Sequence, residues 1–119
     1  MVMLVTSRET GRWVLPKGWV EPDLALHELA AKEAFEEAGL VGEIELEPVG
    51  YYSYAKRLRG GRLVSCQVSV FPMWVERQLE QWPEQGQRQT CWLTLGQAPM
   101  AVDEGELVTL LLRLAAPEE

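Results

Sequence analysis

Leu15-Pro16-Lys17-Gly18-Trp19, followed downstream by Lys32-Glu33-Ala34-Phe35-Glu36-Glu37-Ala38-Gly39-Leu40, is the part of the chain whose reading settles the fold. The second stretch predicts the end of a helix running from about Leu24 to Ala38. Asp23 (in second place Ala25) stands at its N-cap, and Gly39 ends it in the left-handed conformation. At about 100° per residue, Glu33, Glu36 and Glu37 fall within roughly a third of the circumference. Ala31, Ala34, Phe35 and Ala38 take another arc that faces a sheet, the alanines allowing close approach and Phe35 anchoring the contact. Glu28, Lys32 and Glu36 stand four apart, a spacing for modest surface pairing.

Three carboxylates on one rigid face repel one another unless a cation lies between them. They also sit at the C-terminal end of the helix, where its dipole disfavours negative charge, so stability does not account for them. A solvated acidic face is the plain alternative. The upstream loop Leu15–Gly18 favours a divalent metal site instead, because its backbone carbonyls can complete an oxygen-rich shell of the kind Mg²⁺ takes.

Outward from this helix, Met1–Thr6 reads as a strand and Arg12–Leu15 as a short second one. Glu43–Tyr54 looks extended, with an interruption near Pro48 and Gly50, and Gly60-Gly61 marks a turn. Arg62–Trp74 is the clearest strand: Val64, Cys66, Val68 and Val70 alternate with Ser65, Gln67 and Ser69. Glu76–Gln89 reads as polar loop and Thr90–Thr94 as a short strand. Asp103–Ala115 reads as a second helix, with Asp103 and Glu106 as its capping box and Leu107, Leu110, Leu111 and Leu114 as its apolar stripe. Strands mixed with two main helices, without strict alternation, predict an α/β (α+β) domain with a mixed sheet and helices on its faces.

The 119 residues make a single domain, 1–119, and are too few for two. A net charge of −7 argues against non-specific binding to nucleic acid or to an anionic membrane. A negatively charged substrate then needs a metal ion or a local basic cluster. Cys66 and Cys91 show no CxxC spacing and read as reduced thiols of a cytoplasmic protein. No apolar run approaches the roughly 20 residues that span a bilayer.

Gly18, Glu33, Glu36, Glu37, Gly39 and Leu40 match in spacing the Nudix box, G-x5-E-x7-R-E-U-x-E-E-x-G-U with U a bulky apolar residue, and in this the chain resembles the Nudix hydrolases. Its order of strands and helices is similar to the Nudix α/β/α sandwich, so the resemblance covers nearly the whole chain. The Leu-Pro-Lys-Gly-Trp wording is most similar to members near the diadenosine and diphosphoinositol polyphosphate hydrolases. The box is a variant one: Leu24 stands at its first glutamate, Lys32 at its arginine and Ala34 at an apolar position. Family domains usually carry a further strand before the one at Met1–Thr6. Either the chain begins late or a sheet edge is exposed, and an exposed edge invites a second subunit and a homodimer.

The resemblance implies hydrolysis of a pyrophosphate bond in a nucleoside diphosphate linked to another group, a small-molecule phosphoanhydride. It implies Mg²⁺, or Mn²⁺ in its place, held by Glu33, Glu36, Glu37 and the Gly18 carbonyl. Glu33 is expected to orient or deprotonate the attacking water, with Glu84 as the loop acid that serves instead; a solvated loop glutamate is the alternative for Glu84. Arg8 and Lys17 flank the box loop, and Lys56 and Arg57, with Arg59 and Arg62, cluster about Gly60-Gly61; these are the candidates for substrate phosphates. Tyr51, Tyr52 and Tyr54 divide between core packing and base stacking, the tryptophans between core and site wall, and His27 lies outside the acidic arc. A non-catalytic domain binding a nucleotide or phosphorylated ligand on the same fold is the alternative that Leu24 and Lys32 raise.

Overall fold

A computed structural model describes residues 1–116. Its layering follows from one strand, β1 (Val2–Thr6), in which successive side chains point to opposite faces. Leu4 packs into a core with Tyr52, Val102, Leu107, Leu110 and Leu111. Its neighbours Met3 and Val5 pack into a second core with Val14, Ala34, Ala38 and Leu40. Leu107, Leu110 and Leu111 belong to the helix Gly105–Ala115, whereas Ala34 and Ala38 belong to the helix Leu26–Ala38. β1 therefore lies between two helical layers, and the expected α/β/α arrangement is what is found.

In chain order the other elements are β2 (Trp13–Val14), α1 (Leu26–Ala38), β3 (Leu40–Ile44), β4 (Gly50–Arg57), β5 (Leu63–Val70), β6 (Met73–Gln78), β7 (Thr90–Leu93), α2 (Ala98–Ala101) and α3 (Gly105–Ala115). The strands group as β2-β1-β7, β3-β6 and β4-β5. All these pairs are antiparallel, and among the described residues parallel character is confined to isolated bridges such as Trp13↔Val102. β1 pairs with β7 along Val2–Val5 but with β2 only at Val5 and Thr6. The edge expected at β1 is thus partly covered, with Val2–Leu4 unpaired on the β2 side.

Several boundaries differ from the sequence reading. Ala25, not Asp23, is the N-cap of α1, because residues 21–24 form a turn closed by Leu24 N–H to the Glu21 carbonyl at 3.1 Å. The Glu28 carboxylate accepts the Ala25 N–H at 2.9 Å, which is half of a capping box; alanine has no oxygen to complete it. The long strand Arg62–Trp74 is broken at Phe71-Pro72, since proline has no N–H for a ladder. Pairing with β3 then carries β6 on to Gln78, into what reads in sequence as loop. α3 is capped at Glu104, and no Asp103–Glu106 box forms. Asp103 faces Arg12 at 3.6 Å and Glu106 accepts the Ser53 N–H at 2.9 Å. The short α2 was not foreseen; four residues are too few to show a period.

Phe35 does not anchor α1. Its side chain is exposed, and the helix buries Leu29, Ala34, Glu37 and Ala38 instead. Gly39 does end the helix with φ +69°, donating to the Phe35 carbonyl at 2.9 Å. Tyr52 is core while Tyr51, one residue along the strand, is exposed; Trp74 is exposed too. His27 lies edge-on to Phe71, away from the acids. Among the described residues no helix is long and apolar enough to cross a membrane.

Candidate active site

The loop before α1 lies directly on its acidic face. A Cβ built on Gly18 would stand 2.5 Å from Glu33 Oε1, so only glycine allows this approach. One residue earlier, the Lys17 N–H donates to Glu37 Oε1 at 3.3 Å. Glu37 is only 4% exposed, the one buried charged residue among those described. Its Oε2 lies 3.4 Å from Arg88 Nη2. Burial raises the Glu37 pKa to about 8; the Arg88 guanidinium opposes the shift, and the Glu33 and Glu84 charges add to it. Glu33 is likewise raised, by burial first and by the Glu36 and Glu84 charges.

This arrangement carries a pH signature in the metal-free protein. A carboxyl whose folded pKa is raised contributes stability below its unfolded pKa and loses that contribution as the pH rises through the folded value. Thermal melts with a chelator, taken from about pH 5 to about pH 9, should therefore show Glu37→Gln gaining on the wild type as the pH increases. A difference that stays flat, or narrows, contradicts the burial argument.

Glu33, Glu37, Glu84 and Arg88 share a cleft of about 500 Å³ with Lys17 and Lys56. Glu36 stands beside it on the same helix face, and its backbone carbonyl accepts the Glu84 N–H at 2.9 Å. Among the described residues no three His, Cys, Asp or Glu side chains already converge as a cation cage. The oxygens near the cleft, the carboxylates of Glu33, Glu36, Glu37 and Glu84 and the backbone of Gly18, are nevertheless all hard donors. They fit Mg²⁺ or Mn²⁺ and not a soft metal.

The basic candidates divide. The Lys17 ammonium lies 4.5 Å from the Tyr54 ring centroid, and its pKa is lowered by burial against the opposing charges of Glu104 and Glu37. Lys56 is 3.8 Å from Glu9 and 6.0 Å from the centroid of the exposed Trp19 ring at the cleft. Arg8 also lines the cleft, donating to Gln87 Oε1 at 2.8 Å. Arg57 does not: it turns back to the Gly61 carbonyl at 3.2 Å and lines the adjoining groove.

Two residues behave in ways the sequence did not reveal. Lys32 does not join the Glu28–Glu36 row but pairs with Glu21 at 2.6 Å, tying the loop after Gly18 to α1. Arg88 was missed altogether. Its one sequence signal is the spacing of four from Glu84, and the two side chains do meet at 2.9 Å.

Comparison with known proteins gives the family. A family model described as the NUDIX domain matches residues 2–111. Nudix hydrolase 17, mitochondrial, of Arabidopsis thaliana is 33% identical, covering 98% of this chain and 64% of that protein. Nudix hydrolase 18, mitochondrial, of the same plant is 34% identical, covering 82% and 53%. The chain thus spans between about half and two thirds of the length of these relatives. The crystal structure of the C. elegans Ap4A hydrolase shares the fold, with a TM-score of 0.57 at 18% identity over 95% of this chain and 82% of that one. With a family model matched over nearly its full length, this chain belongs to the Nudix family.

Proposed function

We propose that the chain is a Nudix pyrophosphohydrolase, cleaving a phosphoanhydride bond in a nucleoside diphosphate linked to another group. Glu33, Glu36, Glu37 and the Gly18 carbonyl would hold Mg²⁺, or Mn²⁺ in its place. Such an ion, when bound, neutralises diphosphate charge and lowers the pKa of a coordinated water. The observation that carries the reading is Gly18 pressed against Glu33, with Glu37 buried beside it, in a cleft that also holds Lys17 and Lys56. Two carboxylates kept together at the cost of desolvation are poorly explained by stability.

In this reading Lys17, Lys56 and Arg8 bind phosphate oxygens beyond the acids, and Arg57 makes no direct contact. Glu33 takes the proton of the attacking water, with Glu84 across the cleft as the other candidate base. Several cations along one cleft favour a substrate with more than two phosphates, a dinucleoside polyphosphate or a diphosphoinositol polyphosphate. The C. elegans structural neighbour, an Ap4A hydrolase, points the same way. The Lys32–Glu21 pair supports an enzyme over a mere binding domain, because it supplies a loop-to-helix tie despite the variant box.

The partners are then small molecules and not nucleic acid or membrane, in keeping with the net charge of −7. Cys66 and Cys91, both free, suit a reducing compartment such as the cytoplasm. Val2–Leu4 is unpaired on the β2 side, but Met3 and Leu4 are buried, so a homodimer would use another face, and light scattering tests for one. A panel of phosphoanhydrides with Mg²⁺, its products weighed by mass spectrometry, tests the activity. Cleavage of at least one dinucleoside or inositol polyphosphate is expected. Tight binding with no turnover of any member would move the chain to the non-catalytic class.

A further inference from the structure

The loop between β6 and β7 is held to the rest of the fold at both ends. At its start the Leu79 N–H donates to the Gly39 carbonyl at 2.8 Å, and the Trp82 ring lies so close to Gly39 that a Cβ there would stand 2.5 Å from it. At its end Gln89 exchanges hydrogen bonds with Thr6, its N–H to Thr6 Oγ1 at 2.9 Å and its carbonyl from the Thr6 N–H at 3.0 Å. Between these anchors the Glu84 N–H reaches the Glu36 carbonyl of α1. Between the anchors, backbone bonds bring Glu84 to α1 through a single N–H and leave the rest of the loop to side-chain ties. That N–H does not fix where the Glu84 carboxylate points.

Arg88 does that. Its Nε donates to Glu84 Oε1 at 2.9 Å, its Nη1 donates to the Thr6 carbonyl at 3.0 Å, and its Nη2 stands 3.4 Å from Glu37 Oε2. The side chain is 12% exposed, so solvent screens these contacts little. A planar guanidinium with donors in a fixed fork is the side chain that can span two carboxylates and a carbonyl at once. It is a cation placed between an acid of the loop and an acid of the helix, and it sets their separation.

We propose that Arg88 is the positioning residue of this cleft, holding the Glu84 carboxylate among the acids of α1 so that the loop acid serves the reaction. The inference rests on the hydrolase reading above and adds to it a residue whose guanidinium is turned to protein oxygens, Glu84, Glu37 and the Thr6 carbonyl. It predicts that Arg88 and Glu84 act as one unit.

A double-mutant cycle on the full chain with Mg²⁺ tests this, using the panel's best-cleaved phosphoanhydride. Arg88→Gln should lower kcat about 10- to 100-fold, the usual cost of losing a residue that orients a metal-site ligand. KM should stay within about threefold, since substrate binding is not what is lost. Glu84→Gln should fall as far, and the double variant no further than the worse single one. Arg88→Lys keeps the charge and guards against misfolding of the glutamine variant, yet should restore only part of kcat, because one ammonium cannot bridge all three oxygens.

Hydrogen exchange gives a readout independent of turnover. In Arg88→Gln the amides of Glu84 and Gln87 should exchange about tenfold faster or more, with β4 and β5 unchanged. Losses that multiply in the double variant overturn the proposal, as does a wild-type kcat in Arg88→Gln. If the wild-type chain cleaves no member of the panel, the hydrolase reading fails separately. Exchange at Glu84 then decides alone: unchanged rates overturn the role of Arg88, and faster rates uphold it.

Discussion

Glu37→Gln and Glu36→Gln should each lower phosphoanhydride hydrolysis by about 10³-fold or more, with the fold kept. Charge stabilisation of a transferring phosphoryl group by a held cation amounts to several kcal/mol, and each 1.4 kcal/mol or so is a decade in rate. Glutamine keeps the shape of the side chain and one oxygen but removes the negative charge that holds the cation. Stability should not suffer at Glu37, because the ionised carboxylate is the form its burial disfavours. Loss of turnover together with a melting temperature equal to or above that of the wild type, in metal-free protein near pH 8, is the expected pattern. Undiminished hydrolysis in either variant would strike that glutamate from the metal site.

Gly18→Ala should separate function from fold by a different route. The added methyl would lie 2.5 Å from Glu33 Oε1 and 2.6 Å from its Cδ. Both atoms are at the far end of a flexible side chain, so the carboxylate swings away and the backbone stays. Gly18 has no positive φ, and an alanine there also restricts the unfolded chain, which is worth about 0.4–1 kcal/mol in the opposite sense. Stability should therefore change by less than about 1 kcal/mol, as for most substitutions that bury no cavity or charge. Turnover should fall about a hundredfold, the scale of an ångström's displacement of a reacting group. Full activity in Gly18→Ala would mean that the position of Glu33 is not critical. A collapse in stability would mean that the loop and helix pack more rigidly than this contact implies.

The parts of the site legible in sequence are the local ones. The acidic stripe, its glycine stop and the glycine of the covering loop follow from helix geometry over a few turns, and the structure places Gly18 against Glu33. The alternation Val64, Cys66, Val68, Val70 was legible for the same reason, since a strand repeats every two residues and these four are less exposed than Ser65 and Gln67. Where a boundary depended on a partner, the reading slipped. β6 extends to Gln78 because β3 is there to pair with it, and α3 goes without its capping box because Ser53 and Arg12 engage Glu106 and Asp103 first.

Side-chain direction was the other thing hidden. Phe35 and Ala34 are adjacent, and apolarity alone put both against the sheet, yet close approach through the alanines leaves the ring outside. Arg57 stood in the right cluster, but the Gly60-Gly61 turn offers its guanidinium a carbonyl and draws it from the cleft.

What the order of amino acids settled unaided was which groups share a helix face, where that helix stops and which strands alternate, because these are periodicities internal to one segment. What had to await the folded chain was the environment of those groups: Glu37 deprived of water, Glu84 and Arg88 brought in by a distant loop, Lys32 paired with Glu21. Burial and charge pairing depend on which remote segments come to lie within a few ångströms, and no local spacing encodes that.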